Sequence, residues 1–127
     1  MRVLVVDDQP DVCEFVALGL QRAGFEVDVA TNGREALERQ QRSAADVVIT
    51  DIFMPDMDGI ETIDRIKSQF PNTRIVAMSS GGSWRRQDYL SVARQIGADA
   101  TLSKPFSTDE LLAIVRRLTS ARPKSNT

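Results

Sequence analysis

A doubly wound α/β fold, with a five-stranded parallel sheet covered by helices on both faces, is the fold class that this 127-residue sequence predicts. Three observations carry the expectation. Short unbroken apolar runs, Val3 to Val6, Val47 to Ile49 and Ile75 to Met78, have the pattern of strands buried on both faces. Longer segments of helical periodicity lie between them, closed by Gly or Pro. The strand-then-helix rhythm recurs five times along the chain, and helices of this length suit crossover connections between parallel strands.

Strand one, Val3 to Val6, ends at Asp7-Asp8. Pro10 is a favourable first-turn residue, and from it Val12, Phe15, Val16, Leu18 and Leu20 form a helical apolar stripe that Gly24 stops. Phe25 to Ala30 reads as strand two. Thr31-Asn32-Gly33 then turns the chain into helix two, near Arg34 to Arg42, whose inward face is thin, with only Ala36 and Leu37. Strand three, Val47 to Ile49, ends at Thr50-Asp51, and the run from Met54 through Pro55 to Gly59 forces a loop. Ile60, Ile63 and Ile66 stripe helix three, and Pro71-Asn72 breaks it before strand four. Ser79 to Ser83 is a polar, glycine-bearing connection to helix four, near Arg86 to Ile96, which Gly97 closes. Ala100 to Ser103 is strand five, and Lys104-Pro105-Phe106 leads into helix five, Thr108 to Leu118. One domain over residues 1–120 and a polar tail over 121–127 are therefore expected.

Composition excludes several function classes. With 16 Lys and Arg against 18 Asp and Glu, the chain lacks the positive excess that generic binding to a phosphate backbone requires, so no direct nucleic-acid contact is expected. Cys13 stands alone and there is no histidine, which removes internal disulfides and the usual zinc ligand sets. Any metal must be held by oxygen. The apolar start, Val3 to Val6, is too short for a signal peptide or a membrane span, and a cytoplasmic protein without membrane contact is expected.

In doubly wound sheets, function sits at the carboxyl ends of the strands. That rule selects Asp7 and Asp8 after strand one, Asp51 after strand three, Ser79 after strand four and Lys104 after strand five. Three carboxylates at one edge repel one another unless a cation sits among them, and hard oxygen ligands suit Mg²⁺. A neighbouring Lys balances charge and can bind a phosphoryl oxygen as a point charge. Each residue alone also fits a turn, a helix cap or a solvated strand end. Their joint placement on the selected strand ends favours a phosphate-handling site.

With the runs "VLVVDD", "DIFMPDMDG" and "SKPF", and a hydroxyl residue ending strand four, the chain resembles the receiver domains of bacterial two-component response regulators, the CheY-like family. The resemblance spans roughly residues 1–120 and implies a flavodoxin-like (βα)5 fold with strand order 2-1-3-4-5. It implies that Asp51 is the phosphoacceptor, that Asp7 and Asp8 hold Mg²⁺ directly or through water, and that the backbone carbonyl of Phe53 completes the ligands. Ser79 would be the switch hydroxyl, Lys104 the contact to a phosphoryl oxygen, and the bond before Pro105 cis. The implied phosphoryl donor is the phosphohistidine of a sensor histidine kinase or a histidine phosphotransfer protein. The implied output is a surface of helix four, strand five and helix five that meets a downstream protein target, an effector domain or a second copy in a homodimer. Such a domain catalyses only its own Mg²⁺-dependent phosphorylation and dephosphorylation, and is otherwise no enzyme.

Two places depart from the family pattern. The aromatic usually found three residues before the lysine is here Thr101, so signalling runs through Ser79 and backbone movement alone or borrows Tyr89 or Trp84. The stretch Gly81 to Arg86 is longer than the family norm and reads as a plain surface loop, with a mobile lid over the site as the alternative. An aspartate-nucleophile phosphatase or phosphotransferase of haloacid-dehalogenase type is the competing enzyme reading. It needs an Asp two residues after the nucleophile, where this chain has Phe53. A receiver that only docks, without phosphorylation, is the third reading, and the full set of site residues weighs against it.

Overall fold

The apolar runs become strands and the periodic segments become helices in the computed structural model, which describes residues 1–54, 59–79 and 91–120. The elements are β1 (Arg2–Val6), α1 (Pro10–Arg22), β2 (Glu26–Ala30), α2 (Gly33–Arg42), β3 (Val47–Asp51), α3 (Gly59–Gln69) and β4 (Arg74–Ser79). Helical residues 91–96 (α4), β5 (Ala100–Ser103) and α5 (Thr108–Ser120) complete the described chain. The part of helix four expected over 86–90, with Tyr89, and the loop carrying Trp84 lie outside the described residues.

All strand pairs are parallel, and the order is β2-β1-β3-β4-β5, as the resemblance implied. Residues of β1, β3 and β4 alternate between two apolar layers. Val5, Ile49 and Met78 face α1 and α5, with Val16, Leu20, Leu111 and Val115. Leu4, Val48 and Ile75 face the other side, with Ala36, Ile63, Ile66 and Ala93. Burial on both faces is why these strands lack polar alternation.

Several boundaries have local causes. Asn32 caps α2 by accepting from the Glu35 N–H at 2.8 Å, while Glu35 reaches back to the Thr31 N–H at 2.7 Å. Gly24 (φ 97°) and Gly97 (φ 131°) take left-handed conformations after α1 and α4. The thin face of α2 is supplemented by a buried polar contact invisible in the apolar pattern. Gln40 accepts from the Ala45 N–H at 2.6 Å and donates to Thr73 Oγ1 at 3.2 Å.

One expectation about α1 needs correction. Phe15 and Leu18 are each 47% exposed, and the buried face is made by Cys13, Val16 and Leu20. At 100° per residue, positions 13, 16 and 20 share one side, whereas 15 and 18 are rotated toward solvent. Phe25 lies just ahead of β2, and its N–H closes the α1 turn by donating to the Leu20 carbonyl at 3.1 Å.

The return from β3 into α3 depends on Gly59. Its N–H donates to the Ile52 carbonyl at 2.8 Å, and a Cβ there would overlap the Asp51 carbonyl oxygen and Ile52 Cα. Both obstacles are backbone, so Gly59→Ala must displace the end of β3. We expect it to lower the stability measured by urea denaturation by about 1–3 kcal/mol. An unchanged midpoint would contradict this close approach.

Candidate phosphoryl-acceptor site

Parallel register brings the selected strand ends together. Val6 pairs with Thr50 and with Ala30, and Asp7 continues the strand by donating its N–H to the Ala30 carbonyl at 3.1 Å. Asp51 pairs with Met78, and Ser79 with Ser103. The Lys104 N–H then donates to the Ser79 carbonyl at 2.8 Å, so the last two strand ends are tied directly. The Lys104–Pro105 bond is cis, as the resemblance implied.

Carboxylate oxygens of Asp7, Asp8 and Asp51 all lie within 4.8 Å of one another. Their surroundings differ. Asp7 is fully buried, accepts from Lys104 Nζ at 2.8 Å on one oxygen and takes the Gln9 N–H at 2.9 Å on the other. Asp8 is exposed. Asp51 is 5% exposed, accepts from Lys104 Nζ at 3.4 Å and receives the Phe53 N–H at 3.3 Å. Ser79 Oγ is buried with no hydrogen-bond partner among the described residues, an arrangement that leaves a donor free for an incoming oxygen.

Electrostatics follow from this crowding. Burial lifts the Asp51 carboxyl above the ordinary carboxylate range; the Lys104 charge opposes the rise and the Asp7 charge adds to it. Burial alone would lower the Lys104 ammonium, but its bond to Asp7 and the charges of Asp51 and Asp7 outweigh burial and raise it. Lys104 is therefore a cation at neutral pH, shared between two carboxylates. Beneath them, burial and Asp7 push the Cys13 thiol up to about 11, while its Sγ donates to the Asp7 carbonyl at 3.2 Å. Cys13 is thus a protonated packing residue.

Two contacts near the site were not legible in sequence. The Gln9 backbone N–H orients Asp7, a contact independent of side-chain type. Arg94 on α4 donates to Thr101 Oγ1 at 3.0 Å, joining α4 to β5 at the position where the family usually carries an aromatic. A cation seven residues before a hydroxyl near the start of β5 is the signal that could have suggested it.

A family model described as the response regulator receiver domain matches residues 3–116. This chain belongs to that family. The receiver domain is 39% identical over 129 residues to Response regulator Rre1 of Synechocystis sp., covering 98% of this chain and 54% of that protein. It is 31% identical over 132 residues to the alkaline phosphatase synthesis transcriptional regulatory protein PhoP of Bacillus subtilis, covering 98% and 52%. Among solved structures it resembles the receiver domain of NtrX from Brucella abortus, with 30% identity, a TM-score of 0.89 and coverage of 94% and 99%. It also resembles the chemotaxis response regulator CheY4 of Vibrio cholerae, with 35% identity, a TM-score of 0.82 and coverage of 92% and 97%. The chain spans about half the length of the curated relatives it matches. It is a receiver domain of the two-component response regulators, and its three aspartates form a cluster able to hold a metal ion. Among the described residues, no helix is long and apolar enough to cross a membrane.

Proposed function

We propose that this receiver domain accepts a phosphoryl group on Asp51 from the phosphohistidine of a sensor histidine kinase or a histidine phosphotransfer protein. The observation that carries the reading is the shared cation: Lys104 contacts Asp51 and Asp7 together, beside the buried hydroxyl of Ser79, which has no hydrogen-bond partner among the described residues. The donor's histidine must come from the partner, because this chain has none.

An all-carboxylate donor set within 4.8 Å, two of its members buried, fits a hard divalent cation. Asp7, Asp8, Asp51 and the Phe53 carbonyl would hold Mg²⁺, which when bound supplies positive charge against the transferring phosphoryl oxygens. An Asp51 carboxylate oxygen attacks phosphorus, the phosphorus–nitrogen bond to the donor breaks, and an acyl phosphate remains on Asp51. Lys104, already at Asp51, offsets the added charge. Ser79 donates its hydroxyl to a phosphoryl oxygen. Water later hydrolyses the acyl phosphate, so the domain catalyses its own phosphorylation and dephosphorylation in the cytoplasm.

Phe53 at the second position after Asp51 offers no acid or base for rapid turnover, which argues against the haloacid-dehalogenase reading. Output leaves through α4, β5 and α5 to a downstream protein, an effector domain or a second copy, and the Arg94–Thr101 bond joins two of those elements. Residues 1–120 form the domain in this reading, with 121–127 as its tail.

Incubation with acetyl phosphate and Mg²⁺ tests the function: intact mass should rise by one phosphoryl group per chain, and a chelator should prevent the rise. A chain that stays unmodified with Mg²⁺ present would leave the docking reading in its place. Asp8 is the exposed member of the cluster, so Asp8→Ala should keep the fold and weaken Mg²⁺ on the order of tenfold or more by calorimetry. Unchanged affinity would remove Asp8 from the metal site.

A further inference from the structure

Asp8 is held differently from its neighbour in the acidic cluster. Asp7 is fixed on both carboxylate oxygens, by the Gln9 N–H at 2.9 Å and by Lys104 Nζ at 2.8 Å. The Asp8 carboxylate lies within 4.8 Å of its partners, yet among the described residues no hydrogen bond or ion pair reaches it. A carboxylate without a donor of its own is placed by its backbone. The orientation of the Asp7–Asp8 peptide therefore decides where it sits, because the carbonyl of Asp7 and the N–H of Asp8 share one plane.

One side chain grips that peptide. Cys13 Sγ, buried on the inner face of α1, donates to the Asp7 carbonyl at 3.2 Å. A short polar side chain on a helix ordinarily bonds the carbonyl one turn back. Here that carbonyl belongs to Gln9 and already accepts the N–H groups of Val12 at 3.1 Å and Cys13 at 3.2 Å. The thiol reaches past it, six residues back, to the end of β1. Cys13 thus ties the turn twice, with its N–H on Gln9 and its thiol on Asp7, while Gln9 in turn holds the Asp7 carboxylate.

We infer that Cys13 is a positioning residue, whose thiol fixes the Asp7–Asp8 peptide and through it holds the Asp8 carboxylate in the acidic cluster. In its consequence for Mg²⁺ the inference rests on the proposed metal site; Cys13 acts through Asp8 and not on the ion. An apolar residue of similar size would fill the same space beside Val16 and Leu20 but would leave the buried Asp7 carbonyl without its side-chain donor. Serine keeps a donor at slightly shorter reach.

Calorimetric titration of Mg²⁺ into the native 127-residue chain, Cys13→Val and Cys13→Ser is the test, with the Asp8 amide resonance of each metal-free chain followed by NMR. Cys13→Val should weaken Mg²⁺ by about tenfold, the usual cost of losing a group that orients a metal ligand, while Cys13→Ser should stay within about threefold of native. Phosphorylation of Cys13→Val by acetyl phosphate should be slow at low Mg²⁺ and approach the native rate at saturation. With Asp8→Ala already present, Cys13→Val should change the affinity no further, because its effect runs through Asp8. Native affinity in Cys13→Val would overturn the inference. Equal losses in the valine and serine variants would assign the effect to packing, and additive losses with Asp8→Ala would exclude the route through Asp8; either result sinks it. A native chain that binds no Mg²⁺ overturns the metal reading instead. The Asp8 resonance then decides for Cys13: it should move in Cys13→Val and stay near its native position in Cys13→Ser, and an unmoved resonance in Cys13→Val would refute the positioning role.

Discussion

Asp51→Asn is expected to accept no phosphoryl group from acetyl phosphate and Mg²⁺, and to melt at a higher temperature than the native chain at pH 7. The first effect follows from the lost nucleophile: the amide cannot form the acyl phosphate. The second follows from linkage. Burial and the Asp7 charge raise the Asp51 pKa in the folded state, against the pull of Lys104. Between the unfolded and folded values, the folded chain binds more protons, so stability falls as pH rises through that window. Above it the ionised carboxylate is a constant burden that the neutral amide lacks. The melting difference should therefore persist at neutral pH and vanish as pH drops below the usual carboxylate range. A variant that labels at the native rate, or melts lower at pH 7, would contradict the assignment.

Lys104→Met should reduce both stability and phosphorylation. Removing the ammonium leaves Asp7, fully buried, and Asp51 facing each other without the cation they share at 2.8 and 3.4 Å. Breaking such a pair from one side costs on the order of 3 kcal/mol, measurable by urea denaturation at neutral pH without divalent ions. Added Mg²⁺ should recover part of the loss by replacing the missing charge. The Lys104 pKa is raised in the folded state, so its contribution is present below the ordinary lysine range and disappears as pH climbs through the raised value. At low pH the variant should recover as Asp51, with its raised pKa, takes up a proton. Phosphorylation should slow by about 100-fold, the usual consequence of removing one preorganised donor from a developing anion. Equal stability of the two proteins at pH 7 would mean that the carboxylates do not depend on Lys104.

Strands buried on both faces were the most legible elements. Val47 to Ile49 and Ile75 to Met78 announce themselves because nothing polar interrupts them, and the structure extends each by only one or two residues. The rule that function gathers at strand carboxyl ends then located Asp7, Asp51, Ser79 and Lys104. What sequence could not supply was the inequality among the acidic residues. Asp7 and Asp8 are adjacent and chemically alike, yet alternation along the backbone buries one against Lys104 and points the other to solvent. Buried polar contacts were similarly hidden. Gln40 looks like a surface residue of a polar helix until Ala45 and Thr73 are folded against it. On α1, apolar character alone did not separate Val16, which is buried, from Phe15 and Leu18, which are exposed, because the helix carries more apolar residues than one face can bury.

Borohydride trapping of the phosphorylated chain tests the central claim most directly, since it reduces an acyl phosphate and converts the modified aspartate to homoserine. After treatment with acetyl phosphate and Mg²⁺, peptide mass spectrometry should find homoserine at position 51 and aspartate retained at positions 7 and 8. Homoserine at Asp7 or Asp8 instead, or at none of the three, would contradict Asp51 as the phosphoacceptor.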